Sequence, residues 1–274
     1  MPRSLTLAAL QLSSTDDKER NLARAAALID EAASRGARYV ALPETFPYLG
    51  PKERYAEIAE PVPGPTIQLM AAKAGEHGIY ILAGSLLERV EGSDRFYNTS
   101  VLLGPDGSLL ARYRKIHLFD VEVGGRRYLE SDLVAPGSTV TVAKAGELTV
   151  GLSICYDLRF PELYRELALA GAQIVFVPAA FTLHTGRDHW EVLLRARAIE
   201  NQVFVVAAAQ VGRAPGGLMH YGRSMIVDPW GLVLAQAPDL EMALVAEIDL
   251  DEIQRVREAV PALRHRRPEA YHLG

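Results

Sequence analysis

Apolar and amphipathic runs alternate along this chain, and the alternation occurs twice. Four short runs are almost wholly apolar: 39–42, 79–83, 174–177 and 203–209. Runs of that length without polar alternation suit strands buried on both faces. Between them lie stretches with apolar positions at helical spacing. These are KERNLARAAALIDEAASRG (18–36), TIQLMAAKAGEHG (66–78), PELYRELALAG (161–171) and RDHWEVLLRARAIENQ (187–202). The first three end on glycine, a common helix terminator, and Pro161 suits a first helical turn. Pro-Asp-Gly at 105–107 and Pro-Trp-Gly at 229–231 mark two hairpin turns.

Comparing the chain with itself shows why the pattern recurs. LTLAALQ (5–11) resembles LTVGLSI (148–154), and GARYVALPETF (36–46) resembles GAQIVFVPAAF (171–181). GIYILAG (78–84) resembles QVFVVAA (202–208), and YNTSVLLGPDGSLLA (97–111) resembles YGRSMIVDPWGLVLA (221–235). Each copy reads strand, helix, strand, helix, strand, hairpin. Two mixed sheets packed face to face with helices outside satisfy that plan, giving a four-layer αββα sandwich with a pseudo-twofold repeat. A single doubly wound sheet is the alternative, and the paired hairpins count against it. Without a linker or low-complexity tract, one domain over 1–274 is expected.

Polar departures between matched positions are candidates for chemistry. Glu44 stands opposite Ala179, and Cys155 opposite Leu12, each just past a strand. Ligand sites in α/β arrangements lie at strand C-terminal ends. Cys155 lies between a strand ending near Ile154 and the helix opened by Pro161. Free N–H groups and a helix dipole at such a corner favour a thiolate and an oxyanion. Burial of an inert thiol is the competing reading. Lys115 ends the extended run SLLARYRKIHLF, and both it and Glu44 sit inside apolar surroundings, where a charge is usually paired or functional.

Composition narrows the rest. Apolar residues make up 49% of 274, and 34 acids against 29 bases give a net charge of −5. That offers no support for nucleic-acid or anionic-membrane binding. No apolar run approaches the roughly 20 residues of a membrane span, and the N-terminus lacks a signal-peptide pattern. One cysteine cannot form an internal disulfide, so a reducing, cytoplasmic setting is expected. His184 and His189 are off the spacing of a helical metal pair, and no phosphate-binding glycine motif is present, so neither metal nor cofactor is expected. A Cys–His hydrolase stays open on residue types alone.

Glu44, Lys115 and Cys155 in their contexts resemble the nitrilase superfamily, the carbon–nitrogen hydrolases. The resemblance runs in order through LPETF, YRKIHLFD, LESDLVAPG, GLSICYDLRFPELYR, HWEVLLRARAIENQ, YGRSMIVDPWG and RHRRPEAY, nearly the whole chain. It implies the αββα sandwich, a Glu–Lys–Cys triad at Glu44, Lys115 and Cys155, and a supporting glutamate at Glu130. It implies hydrolysis of a small amide through a cysteine acyl-enzyme, with the Tyr156 N–H helping Lys115 hold the oxyanion. Within the family the chain looks most like the branch of deaminated-glutathione amidases, with omega-amidases nearby. A nitrilase, an N-carbamoyl amidohydrolase and a silent scaffold are the alternatives. AFTLHTGRDHW (180–190) departs from the branch pattern at Arg187 and Asp188.

Arg159, four residues past the cysteine, is a candidate partner for a substrate carboxylate, against a structural pair with Glu162. Phe181 and His184 are expected at the pocket mouth, and Arg126 and Arg127 either meet an acidic substrate or form a solvated loop. The tail 263–274 is expected to reach a partner subunit, since the family is usually at least dimeric.

Overall fold

The computed structural model describes residues 3–270. Its strands are β1 (Ser4–Gln11), β2 (Tyr39–Ala41), β3 (Tyr80–Leu82), β4 (Leu86–Arg89), β5 (Phe96–Leu103), β6 (Leu109–Arg114), β7 (Asp120–Val123), β8 (Arg126–Leu129) and β9 (Val142–Ala145). They continue with β10 (Leu148–Leu152), β11 (Ile174–Ala179), β12 (Phe204–Ala209), β13 (Val211–Arg213), β14 (Met219–Tyr221), β15 (Met225–Val227), β16 (Val233–Gln236) and β17 (Met242–Asp249). The helices are α1 (Lys18–Ser34), α2 (Tyr55–Ile58), α3 (Pro65–His77), α4 (Pro161–Leu169), α5 (Leu183–Asn201) and α6 (Glu252–Ala259).

The internal repeat is visible in the sheets. One sheet runs β17-β1-β2-β3-β5, with β4 and β6 both on β5; the other runs β9-β10-β11-β12-β15-β16. β1, β2 and β3 are parallel, as are β10, β11 and β12, and each trio is flanked by antiparallel strands. The copies therefore have the same strand order, and each hairpin closes the same side of its sheet. Gly107, in the first hairpin turn, has φ +79°, and a Cβ there would come within 2.8 Å of the Ala71 carbonyl. Only glycine meets both demands.

Side-chain alternation builds the layers. Leu7 and Ala9 of β1 pack into a core shared with Val150 and Leu152 of β10, between the sheets. Ala8 and Leu10 face the opposite way, onto Leu28 and Ile29 of α1 and Met70 of α3. On the second sheet, Tyr164 and Leu167 of α4 and Trp190 and Leu194 of α5 form the outer layer. The result is the four-layer αββα sandwich. The sheets meet where the Leu12 N–H donates to the Ala209 carbonyl (3.3 Å) and the Val211 N–H to that of Leu12 (2.8 Å). The corners that carry Glu44 and Cys155, after β2 and after β10, line one cavity.

α5 starts earlier than its sequence pattern indicates. Residues 183–186 are helical because Thr182 caps the helix, its hydroxyl accepting from the Thr185 N–H. Residues 183–186, ahead of the helical stretch that the pattern starts at 187, are thus the first turn of α5. No described helix is long and apolar enough to cross a membrane.

Candidate active site

Two strand ends and one hairpin deliver the three predicted side chains to one cavity. Glu44 follows β2, Lys115 follows β6 and Cys155 follows β10; all three line a cavity of about 240 Å³. Lys115 is only 2% exposed, yet it is fully partnered. Its Nζ donates to Glu44 Oε1 at 2.8 Å and to Glu130 Oε2 at 2.9 Å. Burial disfavours the ammonium, but the charges of Glu130 and Glu44 outweigh it and hold the pKa well above the usual lysine value. Lysine suits this place because a compact ammonium with three donors can bridge two carboxylates and keep one N–H.

Asn98 on β5 closes the group. Its Nδ2 donates to Glu44 Oε1 (2.9 Å) and to Glu130 Oε1 (3.1 Å). The Ala180 N–H donates to Glu44 Oε2 (3.0 Å), and the Phe119 N–H to Glu130 Oε2 (2.7 Å). Every carboxylate oxygen therefore has a fixed donor, which sets the rotamer of each acid. Sequence reasoning missed Asn98, though Gly222 is its match in the second copy, so the same comparison that exposed Glu44 marks it.

Cys155 is 7% exposed, with its backbone at φ +49° in the left-handed region. A non-glycine residue there costs on the order of 1 kcal/mol, so its surroundings must impose it. Asp157, fully buried, does so. Its Oδ2 accepts from the Ile154 N–H (2.8 Å) and the Tyr113 hydroxyl (2.7 Å). Its Oδ1 accepts from the His117 N–H (3.1 Å) and lies 2.7 Å from His117 Nδ1. The His117 ring stacks on Phe160, centroids 3.6 Å apart. The signal for Asp157 was its place two residues past the cysteine, where an acid can cap a turn.

The cysteine stands between β10 and the helix opened by Pro161, as expected, and a 3₁₀ turn, Cys155–Arg159, fills the stretch before α4. The local donor is Tyr156, the second residue of that turn. Its N–H has no acceptor among the described residues, as expected for a first-turn amide. Burial and the Glu44 carboxylate push the Cys155 thiol well above its ordinary pKa, while Lys115 pulls it down. At rest the sulfur is a thiol beside a carboxylate, not a standing thiolate.

The remaining predicted residues separate. Tyr156, Arg159 and Phe181 line the cavity. Arg159 makes no pair with Glu162; its Nη1 donates to His189 Nδ1 at 3.2 Å, and among the described residues it has no carboxylate partner. Its guanidinium lies 5.4 Å from the Phe181 ring centroid and 5.8 Å from that of Tyr156. His184 is exposed and does not line the cavity; it packs by Gly124 in the β7–β8 turn. The first turn of α5 directs Thr182 and Thr185 inward at i, i+3 and so turns His184 away. Arg127 lines the cavity, whereas Arg126 and Arg187 are exposed outside it. His220, on β14, is a further wall residue. The last four tail residues, 271–274, lie outside the described residues.

Asp30, Glu76 and His77 group closely enough to suggest a metal, but Lys73 Nζ already sits on Asp30 (2.8 Å) and Glu76 (2.9 Å) and supplies the cation.

Known proteins resemble this chain over nearly its whole length. An omega-amidase, NIT2-A of Xenopus laevis, is 44% identical over 93% of this chain and 92% of its own length. A deaminated glutathione amidase of Synechocystis is also 44% identical, over 94% and 97%. Among solved structures, the C. elegans NitFhit protein superposes with a TM-score of 0.93 at 38% identity, covering 98% of this chain and 66% of that one. An amidase from Nesterenkonia sp. AN1, solved as a mutant with acrylamide added at its active-site cysteine, superposes with a TM-score of 0.82 at 28% identity over 97% of this chain and 98% of that one. The family profile described as carbon-nitrogen hydrolase matches residues 6–258. The chain belongs to the carbon-nitrogen hydrolase family, the nitrilase superfamily.

Proposed function

We propose that this chain hydrolyses a small carboxylate-bearing amide through an acyl-enzyme on Cys155, as in the deaminated glutathione amidases. The observation that carries the reading is Lys115 held between Glu44 and Glu130 in the cavity that contains the cysteine.

Glu44 takes the thiol proton as sulfur attacks the amide carbonyl. A raised thiol pKa makes that transfer part of the attack rather than a prior equilibrium. Lys115 Nζ and the Tyr156 N–H hold the developing oxyanion. Glu44 returns the proton to the leaving nitrogen, the C–N bond breaks, and ammonia or an amine departs. Water then gives a proton to Glu44 and its oxygen to the thioester carbon, which releases the carboxylic acid and restores the thiol. Glu130 keeps Lys115 oriented through both halves.

Arg159, facing the cavity without an acidic partner, supports a carboxylate on the substrate. Omega-amidase chemistry, on α-keto acid amides, uses the same features and is the second reading; the equal identity to both relatives favours neither. Ammonia release from deaminated-glutathione, glutaramate-type and succinamate-type amides, beside nitriles and N-carbamoyl compounds, tests the assignment. Turnover of nitriles or carbamoyl compounds in preference to every amide would overturn it. A homo-oligomer in a reducing cytoplasm belongs to the same proposal. The apolar side chains of Val192 and Ile199 on α5 and of Trp230 and Leu232 in the second hairpin, exposed on the single chain, support the oligomer.

A further inference from the structure

His220 stands in the cavity wall with Glu44, Lys115 and Cys155, and the steps above do not use it. The residue is 4% exposed, and its Nδ1 lies 3.1 Å from the carbonyl oxygen of Ala180. A carbonyl only accepts, so Nδ1 carries the proton. Burial keeps the imidazole below its ordinary pKa, so the ring is neutral at pH 7 and Nε2 holds a lone pair. Nε2 is buried and has no hydrogen-bond partner among the described residues. A buried acceptor left empty is costly, and one in the wall of a ligand cavity has a natural donor in the ligand.

The position indicates which ligand atom that is. The Ala180 peptide ties the ring to the general base: its carbonyl accepts from His220 while its N–H donates to Glu44 Oε2. His220 and Glu44 are thus held on the same residue of the wall of one cavity, and Glu44 is the group that returns the proton to the leaving nitrogen. The carbonyl oxygen is served separately, by the donors Lys115 and Tyr156. Glu44 Oε1 already accepts from Lys115 and Asn98.

We infer that His220 Nε2 accepts a hydrogen bond from the carboxamide nitrogen of the substrate, so that the ring orients the leaving group and selects for amides that carry an N–H. The inference rests on the amidase reading and adds a specificity residue to it.

Two variants separate the ring nitrogens. His220→Asn keeps a donor where Nδ1 stands and removes the acceptor; His220→Gln keeps an acceptor where Nε2 stands and removes the donor. Each is assayed on a primary amide and on the methyl ester of the same acid, which has no N–H on its leaving group. Rates are normalised to the burst of acyl-enzyme, so that partly folded protein does not count. The asparagine variant is expected to lower kcat/KM for the amide by about 10-fold relative to the ester, and the glutamine variant to bring that ratio back toward wild type. An amide-to-ester ratio unchanged in the asparagine variant would overturn the role of Nε2, whether both rates fall together or neither falls. Failure of the wild type to hydrolyse any amide would sink the amidase reading instead, and the two failures are distinct.

Discussion

Replacing Lys115 with methionine removes a buried cation from between two carboxylates and leaves the side-chain length almost unchanged. Glu44 and Glu130 would then share only Asn98, with their charges otherwise facing each other. Removing one partner from a buried ionic group costs about 3–5 kcal/mol. For a domain of this size each kcal/mol shifts Tm by about 2–4 °C, so Lys115→Met should lower Tm by roughly 6–20 °C. The variant also loses the Nζ donor assigned to the oxyanion. Loss of the donor alone costs about 100- to 1000-fold in kcat, which is the minimum expected. The assay is thermal unfolding beside ammonia release at saturating amide, on Lys115→Met and on Lys115→Met/Glu130→Gln. Removing the second charge should restore much of the stability and none of the rate. A single variant within tenfold of wild-type kcat, or a double variant that regains activity with its stability, would refute the role given to the lysine.

Asp157→Asn keeps the shape of the elbow but trades acceptors for an amide that must point two donors at existing donors. It should lower stability by about 1–3 kcal/mol and reduce kcat with little change in KM, and an unaltered kcat would show that Asp157 does not set the cysteine geometry. Arg159→Ala should raise KM for carboxylate-bearing amides by about tenfold or more while leaving neutral amides nearly untouched; equal effects on both would remove its part in recognition. Glu88, buried between Arg112 and Arg114, gives a pH test. Burial pushes its pKa up, but hydrogen bonds from Arg114 and Thr99 and the charges of both arginines bring it below the ordinary 4.5. That stabilisation is present above the unfolded value and is lost as pH falls through the lower folded one, so wild type should lose more Tm between pH 6 and 3 than Glu88→Gln. Parallel profiles would mean that the pair contributes nothing measurable.

The sheets were legible because each half repeats one plan, and a strand buried on both faces leaves a continuous apolar run. Glu44 and Cys155 were legible for a related reason: a repeat must keep its core, so a polar residue opposite an apolar one has another cause. The same comparison sets Asn98 against Gly222 and His220 against Phe96. Those two were passed over because a lone Asn or His on a strand reads as ordinary. His184 was misplaced because sequence gave no sign that Thr182 starts α5, and the start of a helix decides which residues of its first turn point inward. The 3₁₀ turn at 155–159 was also hidden. It is held by contacts from Asp157 to Tyr113 and His117, about forty residues away along the chain, which no local pattern encodes.

Acid quenching during steady-state turnover of a primary amide, followed by intact-mass and peptide analysis, tests the covalent step most directly. The account predicts a mass gain equal to the substrate less ammonia, located on the peptide that contains Cys155, and absent in Cys155→Ala. An enzyme turning over at full rate with Cys155 unmodified, or a Cys155→Ala variant that still releases ammonia at near the wild-type rate, would contradict it.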